Sequence, residues 1–102
     1  MIQQKTILTR PSDDIPWHWS VINRSEHAAN LERNYISTGK ILTQYEEIPN
    51  DRTSVWFRFW DSMESLNQYM SDPKVIEYDA AAKSYNDFAG IVVAPHEITE
   101  IK

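Results

Sequence analysis

The chain has no cysteine, which excludes disulfides, a thiolate nucleophile and Cys-ligated zinc or iron-sulfur clusters. Only two of its 102 residues are glycine, too few for a dinucleotide fingerprint or a phosphate-binding loop. Positive charge is also scarce: ten Lys and Arg stand against fifteen Asp and Glu, a formal net charge of -5. The cations are scattered from Lys5 to Lys102 without forming a basic stripe. Affinity for nucleic acid or an anionic membrane rests on clustered cations, so neither is an expected partner. No apolar run approaches the ~20 residues of a membrane helix, and Met1-Ile2-Gln3-Gln4-Lys5 lacks the apolar segment of a signal peptide. A soluble, cytoplasmic protein is the default expectation.

What is present is a core. With 41% hydrophobic and 12% aromatic residues in 102, the chain has the size and apolar content of one domain, residues 1–102. Residues 2 to 10 alternate loosely as a first strand, ended by Pro11-Ser12-Asp13-Asp14. Ser25 with Glu26 behind it reads as a helix start for Ala28, Leu31 and Tyr35, and Gly39 suits the position past its end. Lys40 to Ile48 is a second strand, and Pro49-Asn50-Asp51-Arg52 turns it tightly into a third, Thr53 to Trp60. Asp61 is placed to cap a helix with Glu64 three residues on and Leu66, Tyr69 and Met70 as its apolar face. Asp72-Pro73 restarts the helix, which Val75, Tyr78, Ala82 and Tyr85 line before Gly90 ends it. Ile91 to Ile101 is a last strand, bent or bulged near Pro95. The order βαββαβ predicts an α+β, ferredoxin-like domain: a four-stranded antiparallel sheet with two helices on one face.

The third strand makes the two sheet faces unequal. Val55, Phe57 and Phe59 point one way; Trp56, Arg58 and Trp60 point the other. If the all-apolar set packs under the helices, two indoles flanking a guanidinium lie on the open face, where a flat or anionic ligand would stack on them or a second copy would cover them. The opposite phase puts the Trp56, Arg58, Trp60 set beneath the helices.

Few other residues carry chemistry. In Trp17-His18-Trp19 an imidazole between two indoles offers a lid or an acid-base group. His96 on the last strand is placed to share a pocket with Arg58, whereas His27 on the first helix reads as a surface or packing residue. The three histidines form no local ligand pair, and Asp13-Asp14 and Glu46-Glu47 are adjacent acids that diverge in a strand or turn, so no metal site is expected. No serine sits in a nucleophile elbow. An RNA-recognition domain shares the element order, but its aromatic strand carries glycines and a basic start, which Thr53 to Trp60 lacks.

The run Phe59-Trp60-Asp61-Ser62-Met63-Glu64-Ser65-Leu66, with Ser71-Asp72-Pro73 closing the helix turn, resembles the antibiotic biosynthesis monooxygenase-like group of dimeric α+β barrels. The resemblance implies two ferredoxin-like sheets packed open face to open face in a homodimer, with a small pocket in each subunit. The haem-degrading branch of that superfamily fits poorly: Gln3 and Gln4 stand on the first strand in place of a catalytic Asn, and Tyr69 stands where a Trp falls. The chemistry implied is cofactor-independent oxidation or isomerisation of a small aromatic or polyketide-like molecule, with no cofactor. In that reading Arg58 stabilises an anion, Trp56 and Trp60 bind its ring with Tyr69 and His18 beside them, and His96 or Tyr45 moves protons. The alternative is a non-catalytic assembly or regulatory protein whose open face serves only to dimerise. Its interior would be filled by its own aromatic side chains, leaving no pocket for a ligand.

Overall fold

The computed structural model describes residues 1–102. Strand β1 (Ile2–Thr9) lies at the centre of one antiparallel sheet, paired along its whole length with β3 (Thr53–Trp60). On its other side it pairs with two short strands in line, β4 (Val92–Val93) and β5 (Glu97–Glu100), while β2 (Ile41–Asn50) pairs with β3. The order β2-β3-β1-β4 with β5 also on β1 is that of a ferredoxin-like sheet. The expected last strand is split at Ala94-Pro95-His96, where the proline has no N–H to give to the ladder. Asn50 pairs with Thr53, so Asp51 and Arg52 form a two-residue hairpin turn, braced by the Arg52 N–H donating to Asn50 Oδ1 at 3.0 Å.

The helices lie on one face. A short α1 (His18–Val21) precedes α2 (Ser25–Leu31), whose last turn widens into a π turn over Glu32–Ile36, where Ser37 N–H reaches back to Glu32 O at 2.9 Å. The buried stripe of α2 and its π turn is His27, Asn30, Leu31 and Tyr35, not the expected set with Ala28, which is exposed. Helix α3 (Met63–Met70) is capped by Ser62, whose Oγ accepts from Ser65 N–H at 3.2 Å. Asp61 does not cap it: it stands one residue before the N-cap, where its N–H donates to Lys40 O at 2.8 Å as the β2–β3 ladder ends. Helix α4 (Pro73–Ala89) begins on Asp72 and stops at Gly90, whose φ of 75° favours glycine.

The sheet phase is the second of the two that alternation allows. Ile2, Gln4, Thr6 and Leu8 face the helices together with Ser54, Trp56, Arg58 and Trp60 across the ladder. The reason is Trp60: fully buried, it packs against Tyr35 and Tyr69 with ring centroids 6.0 and 5.1 Å away, and its Nε1–H donates to buried Gln4 Oε1 at 3.0 Å. Ile2, Leu31, Ile41, Leu66 and Val75 complete this core. Val55, Phe57 and Phe59 are left half-buried on the open face with Tyr45 stacked across Phe57 at 4.9 Å. No helix is long and apolar enough to cross a membrane.

Asp72 locks the helical layer. Its Oδ1 accepts from Lys74 N–H at 2.9 Å, capping α4, while Oδ2 accepts from Tyr35 Oη at 2.7 Å and Asn30 Nδ2 at 2.9 Å. Burial works to raise this carboxyl, but the three hydrogen bonds prevail and hold it below the ordinary carboxylate value. Its stabilisation is therefore present at neutral pH and is lost as pH falls through that lowered value. Asp72→Ala removes a cap and orphans the Tyr35 hydroxyl, so urea unfolding at neutral pH should show a loss of about 2–3 kcal/mol. A loss below about 0.5 kcal/mol, the level of an ordinary surface change, would show that this carboxylate does not hold the layer.

Candidate functional site

Between the sheet and α2, α3 and α4 the side chains do not meet, and a cavity of about 610 Å³ remains, within the ~300–1,000 Å³ of small-molecule sites. Its sheet side carries Gln4, Thr6, Trp56 and Arg58; α3 contributes Tyr69, and α4 contributes Tyr78, Asp79, Ala82 and Asn86. Small Ala82 leaves the space that larger neighbours surround. His18 and Trp19 of α1, His27 of α2 and His96 between β4 and β5 complete the lining.

The α1 segment is held over the cavity by contacts at its own ends. Arg10, just past β1, donates to Asp51 O at 2.9 and 2.6 Å and to Ile15 O at 2.7 Å, and its guanidinium lies 4.7 Å from the Trp17 ring. Trp17 stacks on Trp19 at 5.3 Å, Trp19 meets Trp56 edge-on at 5.5 Å, and Tyr85 Oη donates to Pro16 O at 2.5 Å. The segment that showed no clean period in sequence is thus ordered by tertiary contacts to β1, β3 and α4.

Arg58 sits half-buried on the floor. Its Nε donates to Gln44 Oε1 at 3.0 Å, and its guanidinium lies 5.1 Å from the Tyr69 ring and 5.9 Å from that of Trp60. The chain's single salt bridge is Lys83 with Asp87, so Arg58 is a fixed cation without a carboxylate partner, suited to an anion. Beside it, His27 stacks on Tyr78 with centroids 4.0 Å apart and planes 8° from parallel. Burial, then the Arg58 and Arg24 charges, push His27 down to about 4. His18 is lowered by burial and by Arg24; Asn86 lies near enough to oppose this, although no hydrogen bond of normal geometry joins them. Both imidazoles are therefore uncharged at neutral pH. Burial raises Tyr69 against the pull of Arg58, raises Tyr78, and raises Asp79 against His96 and Arg58.

Of the residues singled out in the sequence, Arg58, Trp56, Tyr69, His18 and His96 line this cavity. Thr6 Oγ1 and His96 Nδ1 are 2.6 Å apart, which fixes that ring. Trp60 does not line it, being consumed by the core beneath. Tyr45 is on the opposite face of the sheet, 43% exposed, so it cannot move protons in this cavity. His27, Tyr78, Asp79 and Asn86 were not selected from sequence. The available signal was polar Asp79 and Asn86 recurring with Ala82 at helical spacing along a stripe that a simple helix fills with apolar residues. No three of the chain's imidazoles and carboxylates converge to hold a metal.

A histidine kept neutral by folding destabilises the folded state in acid, because the unfolded chain takes up the proton first. Between pH 6.5 and about 4 the unfolded state binds more protons at this site, so stability falls with falling pH by up to about 1.4 kcal/mol per unit. His27→Phe, which keeps the stack on Tyr78, should flatten that part of the urea-midpoint profile. An unchanged slope would show that His27 titrates normally.

No family model and no curated protein matches the sequence. Solved structures do match, over nearly the whole chain. A mutant form of SnoaB, a cofactor-independent oxygenase from Streptomyces nogalater, covers 99% of this chain and 92% of its own at 9% identity, with a TM-score of 0.60. A candidate antibiotic biosynthesis monooxygenase from Deinococcus radiodurans covers 100% and 93% at 14% identity and a TM-score of 0.57. A second such candidate, from Chloroflexus aurantiacus, covers 97% and 91% at 18% identity and a TM-score of 0.51. At these identities the likeness is one of fold, and the chain has the ferredoxin-like α+β fold of the antibiotic biosynthesis monooxygenase-like proteins.

Proposed function

We propose that the protein binds a small, flat, aromatic or polyketide-like molecule in this cavity and acts on it as a cofactor-independent oxygenase or isomerase. The observation that carries the reading is the unpaired Arg58 guanidinium on the floor of an aromatic cavity, beside uncharged imidazoles. A substrate hydroxyl, or a C–H next to a carbonyl, gives its proton to an imidazole, and the phenolate or enolate so formed is stabilised by Arg58. His96 is the assigned proton carrier, because Thr6 engages its Nδ1 and leaves Nε2 for the substrate. Returning the proton to a different carbon completes an isomerisation. In the oxygenase reaction the anion's electrons go to O2: a methylene becomes a carbonyl, one oxygen atom is retained, and the other leaves as water with both hydrogens. Trp56, Trp19 and Tyr69 sandwich the ring and keep water from the anion. The fold likeness to SnoaB, a cofactor-independent oxygenase, supports this class.

The homodimer belongs to the same proposal. Tyr45, Val55, Phe57 and Phe59 form an apolar open face of the kind that a second copy covers, and two such sheets close a barrel. A protein built only to dimerise has no use for the cavity on the helical side, which favours the enzymatic reading over an assembly role.

Planar phenols and enolisable ketones, screened with an oxygen electrode and by absorbance, should include turned-over compounds. Arg58→Met should then lower kcat by at least about a hundredfold while the melting temperature holds; turnover at the wild-type rate would remove Arg58 from the chemistry. Light scattering across a dilution series should give a dimer for the wild type and a monomer for Tyr45→Glu. A wild-type monomer would defeat the barrel.

A further inference from the structure

Four buried polar atoms in the protein have no hydrogen-bond partner: Trp56 Nε1, His18 Nδ1, His27 Nδ1 and Asn86 Oδ1. All four residues line the one cavity. That coincidence is informative, because native proteins rarely leave buried polar atoms unpaired, and orphans scattered by chance would not converge. Two of the side chains are more than nine-tenths buried, His27 at 8% and Asn86 at 5% exposure, so bulk water does not serve them.

The chemistry of each atom says what would satisfy it. The Trp56 indole is a donor only, and needs an acceptor. Asn86 Oδ1 is an acceptor only, and needs a donor. The imidazole of His18, near Asn86 but not bonded to it, accepts or donates according to tautomer. One hydroxyl seated between them donates to Asn86 and accepts from His18. Arg58, already tied to Gln44, attends to charge elsewhere on the floor.

We infer that the cavity recognises two oxygen substituents on its aromatic ligand: a carbonyl or ether oxygen that accepts from Trp56 Nε1–H, and a hydroxyl that bridges Asn86 Oδ1 and the His18 imidazole. Trp56 and Asn86 are then specificity-determining residues, and unsubstituted aromatics are rejected because they leave these atoms unpaired. The inference rests on the reading that this cavity is the ligand site, and it narrows the ligand to aromatics that carry both an accepting oxygen and a hydroxyl.

The test is a binding series on the intact protein, read by calorimetry with naphthalene, α-tetralone and a set of hydroxy-α-tetralones differing in hydroxyl position. At least one hydroxy-α-tetralone should bind about tenfold or more tighter than α-tetralone, and α-tetralone tighter than naphthalene. Asn86→Leu should abolish the hydroxyl advantage and leave naphthalene affinity within about twofold. Trp56→Phe should weaken every flat ligand by the lost stacking and in addition abolish the carbonyl advantage, so that the ratio of α-tetralone to naphthalene affinity falls to about one. Asn86→Leu should also leave the ligand-free melting temperature unchanged or raised, since it replaces an unpaired polar group by an apolar one of similar size. Equal losses for all three ligand types, no preference for oxygenated rings, no binding by any member, or a melting temperature lowered by Asn86→Leu would each overturn the inference. Oxygen uptake and proton exchange measured on the compounds that bind test the proposed reaction separately: binding in this order without turnover sinks the enzyme reading and leaves the recognition intact.

Discussion

Trp60 is packed under Tyr35 and Tyr69 at the point where β1, β2 and β3 meet the helices, and its indole N–H is held by buried Gln4. Burying so large an aromatic contributes more than any other side chain here, on the order of 3–5 kcal/mol against truncation, and the bond to Gln4 keeps the indole from carrying an unpaired donor into the core. Because side chains alternate with a period of two, placing Trp60 inward also places Arg58 and Trp56 inward. Those two cannot fill the interior as a leucine would. Each keeps a polar end, and the helices stand off around them.

The cavity follows from that standoff. Helix α4 brings Ala82 where a larger residue would reach the sheet, and sets Asp79 and Asn86 on the same side. An apolar core would be more stable, since desolvated imidazoles and an unpaired amide oxygen each oppose folding. Natural chains tolerate such costs where a site must be ready before its ligand arrives, because preorganised groups need not reorient during reaction. Asp72 offsets part of the cost at the other end of the helical layer by joining α2, its π turn and α4 through one carboxylate, while its backbone N–H donates to Tyr69 O of α3.

The inward turn of the Trp56, Arg58, Trp60 set leaves Val55, Phe57 and Phe59 on the outer face. One strand thereby serves two surfaces, a polar-aromatic wall inside and an apolar band outside, and neither suits bare water. The segment before α2 completes the wall. Arg10 lies against the Trp17 ring and Tyr85 holds the Pro16 carbonyl just before it, so part of the cavity wall comes from residues remote in sequence from its floor.

Much of the architecture was legible in one dimension. Local signals, the Pro49-Asn50-Asp51-Arg52 turn, Asp72-Pro73, Gly39 and Gly90 at helix ends, and the β-branched run interrupted at Pro95, depend on neighbours along the chain, and they placed the strands and the longer helices, although β2 runs two residues further, through Pro49 and Asn50, than the turn signal implied. The residue types of the site, Arg58, Trp56, His18, Tyr69 and His96, were also visible as an aromatic and cationic set. Three features were decided only by the tertiary structure. Alternation assigns residues to two faces but carries no sign, so the direction of β3 awaited the packing of Trp60 and the bond to Gln4. That sign separated Trp56 and Arg58 in the cavity from Tyr45 outside it. Helical spacing likewise does not tell a buried Asn86 or His27 from a solvated one, since what distinguishes them is the space left by Ala82 and the rings stacked across it.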